Sequence, residues 1–104
     1  MSFLRKLFGL GPKADFKTLA EEGAIILDVR TKGEFKQGHI KNAKNIPVET
    51  LASNISQLRD KEKTIITCCA SGMRSSRAKS ILKANGYENV FNGGAWTSLN
   101  RKLI

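Results

Sequence analysis

Thr64-Ile65-Ile66-Thr67-Cys68-Cys69-Ala70-Ser71-Gly72-Met73-Arg74-Ser75 decides the fold of this 104-residue chain, because it runs from an apolar strand through a thiol-bearing loop into a helical pattern. Thr64 to Thr67 reads as a short buried strand, and Ala78, Ile81 and Leu82 recur on one face at helical spacing. The loop therefore ends at a helix N-terminus. Several backbone N–H groups there lack intrahelical partners, and the helix dipole adds partial positive charge. A cysteine in that setting, with Arg74 alongside, is expected to have a thiol pKa below the ordinary value of about 8.5 and to favour the nucleophilic thiolate.

Working outward, Asp15 suits the N-cap of a short helix through Phe16, Leu19 and Ala20 that Gly23 ends. Ala24 to Val29 is nearly continuous in apolar residues, which predicts a strand buried on both faces and hence a parallel sheet. A polar segment with Glu34 and Phe35 follows Arg30 and closes at Gly38, and Asn45-Ile46 reads as a very short strand stopped by Pro47. Leu51, Ile55 and Leu58 give a helical stripe. A further helix is expected from about Arg74 to Asn85, with Gly86 suited to the left-handed position beyond it. Asn89 to Phe91 reads as a last strand, Gly93-Gly94 as a tight turn, and Trp96, Leu99 and Leu103 as a final helical stripe. Strands alternate with helices throughout, so the expected class is α/β, an open sheet with right-handed crossovers covering both faces. Sites in such sheets lie beyond the carboxyl ends of the strands, where Cys69 falls.

Composition narrows the possibilities. The chain has room for one small domain, and 40% apolar residues suffice for a core without metal or disulfide support. Two adjacent cysteines close no loop and build no disulfide framework. No apolar run approaches the roughly 20 residues of a membrane span, and no secretory signal is legible, so a reducing cytoplasm is the expected location. The net charge of +9 comes from lysines and arginines scattered along the chain rather than in a basic run, with seven aromatics among them. This pattern points to a surface that attracts small anions rather than to nucleic acid. Residues 1–12 carry Phe3, Leu4, Leu7, Phe8 and Leu10 beside Arg5 and Lys6, and read as an amphipathic or frayed segment preceding a domain over 13–104. Nothing in the sequence demands more than a monomer.

Leu27-Asp28-Val29-Arg30, Glu34-Phe35, Gly38-His39-Ile40, Ala43, Asn45-Ile46-Pro47, the Cys69-to-Ser75 loop, Gly86-Tyr87 with Val90, and Gly93-Gly94 with Trp96 together resemble the single-domain rhodaneses, the rhodanese-like sulfurtransferases. The resemblance spans roughly residues 15 to 100 in the family's order. It implies a small parallel sheet of about five strands with helices on both faces, and a cysteine that cycles between thiolate and persulfide. By position Cys69 matches the sulfur-accepting cysteine. Ala70, Ser71, Gly72, Met73 and Arg74 match the loop that cradles donor and persulfide through backbone N–H groups. The implied partners are a small anionic donor such as thiosulfate and an acceptor such as cyanide or a protein thiol, with no metal or organic cofactor. Physical chemistry is compatible: successive amides in a tight loop form an anion-binding nest, and Gly72 permits backbone angles that a side chain resists. Arg74 adds a guanidinium able to meet an oxyanion at two points. Ser75 suits either capping of the helix or contact with the cysteine.

Cys68 opens a second register. Counted from Cys68, five residues precede Arg74, which resembles the cysteine phosphatase loop, although Thr67 stands where those enzymes carry histidine. A non-catalytic binding module is a third reading, disfavoured by the presence of Cys69. Cys68 otherwise suits burial in the strand. Asp28, Arg30 and Glu34 suit an ion pair and strand-end hydrogen bonds rather than acid/base work. His39 suits a packed, hydrogen-bonded role, and one histidine with two adjacent cysteines does not supply zinc spacing. Trp96 suits anchoring of the last helix.

Overall fold

The computed structural model describes residues 15–104. The Asp15 carboxylate accepts from the Thr18 amide at 3.2 Å and the Thr18 hydroxyl at 2.7 Å, so it caps α1 (Phe16–Glu21) and satisfies a donor the first turn leaves unpaired. The chain continues through β1 (Ile25–Asp28), α2 (Lys32–Gln37), β2 (Lys44–Asn45), 3₁₀ stretches over Val48–Thr50 and Ala52–Gln57, β3 (Ile65–Cys69), α3 (Met73–Ala84), β4 (Val90–Ala95) and α4 (Trp96–Leu103).

The strands are parallel, in the order β2-β1-β3-β4. Ile25 lies opposite Ile65, Leu27 opposite Thr67, and Asp28 opposite Cys68. Because successive side chains in a strand point to opposite faces, this register sorts the apolar run into two cores. On one face Leu27, Val29, Ile65, Cys69 and Val90 pack with Leu51, Leu58, Ala78 and Leu82. On the other, Ile26, Ile66 and Cys68 pack with Leu19 and Leu99. The unbroken hydrophobicity of Ala24 to Val29 thus has the predicted cause, cover on both sides.

The fold class stands as expected, and the strand count is corrected. The described residues form four strands, not about five. Four is the number of strand segments that the residues themselves mark, and the fifth came only from the family resemblance. The amphipathic segment over residues 1–12 lies outside the described residues.

Three local expectations also change. In the stripe of Leu51, Ile55 and Leu58 the two leucines are buried and Ile55 partly so, on 3₁₀ turns rather than a regular helix. The Thr50 hydroxyl donates to the Pro47 carbonyl and the Asn54 amide side chain to the Thr50 carbonyl, while Asn54 itself leaves helical angles at φ −114°. The polar segment after Arg30 is helix α2, closed at its start by a capping box: the Thr31 hydroxyl accepts from the Glu34 amide, and the Glu34 carboxylate accepts from the Thr31 amide. Gly93-Gly94 is no turn but part of β4. A Cβ at Gly93 would sit 2.9 Å from Ile66 Cγ2, Leu99 Cδ2 and the Thr67 carbonyl oxygen, so close approach of β4 to β3 is what requires glycine there. The short strand β2 begins one residue earlier than expected, at Lys44, within the ordinary scatter of element boundaries.

From β1 the chain steps outward to β2, then returns past β1 to β3 and on to β4. The direction of winding therefore reverses between β1 and β3. The crevice beyond the carboxyl ends of these two strands, at Asp28 and Cys69, is where an open parallel sheet receives ligands.

Candidate active site

Cys69 is the last residue of β3, and Gly72 turns the chain into α3 at φ +104°, in the left-handed region that glycine adopts without strain. The turn aims backbone donors back at the thiol. The Gly72 amide lies 2.9 Å from Cys69 Sγ and the Ser75 amide 3.3 Å from it. Four contacts pin this geometry from behind. The Thr67 hydroxyl donates to the Ser75 carbonyl at 2.9 Å, the Ser75 hydroxyl lies 2.6 Å from Asn92 Oδ1 and 2.9 Å from the Gly72 carbonyl, and Asn92 Oδ1 also accepts from the Gly94 amide at 2.9 Å.

Burial alone would raise the Cys69 thiol, but the Ser75 hydroxyl and amide and the amides of Gly72 and Ser71 outweigh it, leaving the thiol below its ordinary pKa. The expected direction stands, and its cause is refined. The backbone donors expected at the helix N-terminus supply much of the lowering, joined by the Ser75 hydroxyl, whereas Arg74, expected alongside them, is not among the main causes. Both terminal nitrogens of Arg74 are engaged by Glu34, Nη1 to Oε1 at 2.8 Å and Nη2 to Oε2 at 3.0 Å. This pair spans the crevice from α2 to α3.

The remaining loop residues separate by role. Ala70 and Ser71 are exposed, and Met73 presents 81% of its surface to solvent, so its side chain does not pack at the sulfur. Ser75, by contrast, is buried at the sulfur. The sequence reading places Glu34 in an ion pair but misses Arg74 as its partner, and it misses Asn92 as a site neighbour. Thr31-x-x-Glu34 was legible as a capping box, whereas nothing in the sequence marks Asn92.

Cys68 occupies the opposite face, buried against Leu19, Ile26, Ile66 and Leu99. Burial and the Asp28 carboxylate push its thiol up to about 12, so it holds its proton at neutral pH. A phosphatase register requires a thiolate at this position, and the packing withholds one. Asp28 and Arg30 form a buried ion pair with Nη2 to Oδ2 at 2.7 Å and Nε to Oδ1 at 3.0 Å. Arg30 also donates to the carbonyls of Glu34 and Gly38 and lies over the Trp96 ring at 4.7 Å. All three of its guanidinium nitrogens are thus engaged in structure. His39 Nδ1 lies 2.7 Å from the Phe35 carbonyl with its ring stacked on Phe35, and it makes no contact with either thiol. Among the described residues no group of three or more His, Cys, Asp and Glu gathers as for a metal ion, and no helix is long and apolar enough to cross a membrane.

Comparison with known proteins places this geometry. The family model of the rhodanese-like domain matches residues 13–96. Thiosulfate sulfurtransferase 18 of Arabidopsis thaliana is 37% identical over 91 residues, covering 75% of this chain and 67% of that protein. The tRNA uridine(34) hydroxylase of Erwinia tasmaniensis is 33% identical over 78 residues, but these cover 70% of this chain and only 22% of the hydroxylase. Among solved structures, a rhodanese with anions from E. coli superposes with a TM-score of 0.69 at 32% identity, covering 73% of this chain and 91% of that one. With the family model matching most of its length, and a thiol loop at the reversal point of a parallel sheet, this chain belongs to the rhodanese-like domain family.

Proposed function

We propose that the protein is a sulfurtransferase that carries sulfane sulfur on Cys69. The observation that carries this reading is the pair of backbone amides, Gly72 and Ser75, directed at a thiol whose pKa lies below its ordinary value. The Cys69 thiolate attacks the outer sulfur of thiosulfate or of a persulfide. A new S–S bond forms to Cys69, the donor's S–S bond breaks, and its electron pair leaves on sulfite or on a thiolate. The amides of Ser71, Gly72 and Ser75 then hold the anionic persulfide as they held the thiolate, so negative charge stays compensated through the step. An acceptor thiolate or cyanide next attacks the outer sulfur and returns Cys69 to the thiolate.

Neither proton transfer nor a general base is needed once the thiol is ionised, which fits the commitment of Asp28, Arg30 and Glu34 to ion pairs. Cys69 has no exposed surface beneath the loop, so sulfur loading requires residues 70 to 72 to give way as the donor enters. The likeness to an Arabidopsis thiosulfate sulfurtransferase supports thiosulfate as one donor, and the E. coli rhodanese described with anions supports anion binding. We place this activity on a monomeric domain over residues 13–104 in a reducing cytoplasm, with a small thiol or a protein thiol as acceptor.

Intact-mass measurement tests the proposal. After treatment with thiosulfate or a small alkyl persulfide the protein should gain one sulfur atom. Cys69→Ser should abolish the gain and Cys68→Ser should keep it. Loading that survives Cys69→Ser, or a wild-type protein inert to both donors, would overturn the reading.

A further inference from the structure

We infer that Glu34 sets donor specificity at the Cys69 site, cancelling the charge of Arg74 so that the site favours persulfide donors over the dianionic thiosulfate. The inference rests on the sulfur-transfer reading and narrows its substrate class. Arg74 lies at the head of α3 beside the loop, where a free guanidinium would attract an oxyanion at two points. Instead both of its terminal nitrogens meet the two carboxylate oxygens of Glu34, at 2.8 and 3.0 Å. This partner is itself fixed. Glu34 Oε1 also accepts from the Thr31 amide at 2.9 Å and the Thr31 hydroxyl at 3.1 Å, so the capping box of α2 holds the carboxylate in place. Geometry keeps it there, and the same contacts, Arg74 foremost, hold its carboxyl down to about 2, charged across the physiological range.

The second guanidinium at the crevice is engaged more fully still. Arg30 is taken up by Asp28, by the Glu34 and Gly38 carbonyls and by the Trp96 ring. Anion recognition thus falls to backbone dipoles, which stabilise the charge on one sulfur but offer little to the second charge of thiosulfate. A dianion feels the Glu34 carboxylate twice as strongly as a singly charged persulfide does. The pair is part-exposed, with 32% of the Arg74 side chain and 37% of the Glu34 side chain accessible, so its field reaches an incoming donor and is open to screening by salt.

Glu34→Gln tests the inference, because glutamine keeps the side-chain length and still accepts from the Thr31 amide. Rates of Cys69 loading are measured with thiosulfate and with a small alkyl persulfide at low salt. KM for thiosulfate should fall about tenfold with kcat within about twofold of wild type, and KM for the persulfide should fall about threefold or less. The thiosulfate gain should vanish near about 1 M salt, where the screening length is about 3 Å. Arg74→Gln leaves Glu34 uncompensated and should shift thiosulfate KM upward, with the persulfide affected less. A purely structural role for the pair would move both variants and both donors in one direction, and that result overturns the inference. An unchanged donor ratio in a protein that loads normally overturns it alone. A wild-type protein that takes sulfur from neither donor overturns the sulfur-transfer reading and the inference together.

Discussion

Cys68 and Cys69 are neighbours in sequence and opposites in chemistry. Each stands at the end of β3 with an ion pair nearby, yet one faces Leu19, Ile26 and Leu99 beside the closed Asp28–Arg30 pair, and the other faces the loop amides beside the Glu34–Arg74 pair. Both residues are fully buried. Exposure therefore does not distinguish them; the depth of apolar cover and the donors do. Cys68 has apolar neighbours and a carboxylate nearby, and its thiol is pushed up to about 12, whereas Cys69 collects amides from a turn that only the left-handed Gly72 permits, and its thiol goes down. A single step along a strand inverts the side chain's face, and here it separates a thiol held among apolar side chains from one that faces backbone donors.

Substitutions on the Cys68 side should cost stability and spare the thiol chemistry. The largest effect is expected from Arg30→Ala, which leaves the Asp28 carboxylate buried without its partner and should destabilise the fold by about 3–5 kcal/mol in denaturant unfolding. Cys68→Ser places a hydroxyl among apolar side chains and should cost about 2 kcal/mol, with sulfur loading per folded molecule unchanged. If Cys68→Ser instead abolished loading at full stability, the contrast between the faces would fail.

On the Cys69 side the order reverses, with chemistry changing more than stability. Ser75→Ala removes a hydroxyl that lowers the thiol pKa and should move the midpoint of thiol alkylation upward, with roughly 1 kcal/mol of stability lost through the Asn92 contact. An unmoved midpoint would assign the lowering to the backbone amides alone. The smallest effect concerns Glu34. Its carboxyl is held down to about 2 by the Arg74 guanidinium, against an ordinary value of 4.5, so the pair's contribution is complete above about pH 4.5 and is lost as pH falls through about 2. Because the pair is part-exposed, that contribution should stay below about 1 kcal/mol. Acid titration of stability in wild type and Glu34→Gln checks it, with a slightly flatter acid limb expected for the variant.

Much of this contrast is legible in the residues. The apolar runs at Ala24 to Val29 and Thr64 to Thr67, and the Cys69-to-Ser75 turn with Gly72, locate the parallel sheet and its thiol loop, because burial on both faces and a left-handed turn leave compositional traces. What stays hidden depends on contacts between distant segments. Glu34 and Arg74 are separated by 40 positions and Ser75 and Asn92 by 17, and no local periodicity announces either meeting. Gly93-Gly94 misleads for the same reason: a glycine pair reads as a turn, yet the requirement is the close approach of Ile66, Leu99 and the Thr67 carbonyl, which only packing supplies. The stripe at Leu51, Ile55 and Leu58 predicts burial correctly and helix type wrongly, since Thr50 and Asn54 side chains take hydrogen bonds that a regular helix would make through its backbone.

The pH dependence of alkylation in the two single-cysteine proteins tests the division between the neighbouring thiols most directly. Folded Cys68→Ser protein, which retains Cys69, should react with a small alkylating reagent at a midpoint below the ordinary thiol pKa. Folded Cys69→Ser protein, which retains Cys68, should resist the reagent up to about pH 10 and react only on unfolding. Equal reactivity of the two proteins, or faster reaction at Cys68, would contradict the assignment of the reactive thiolate to Cys69.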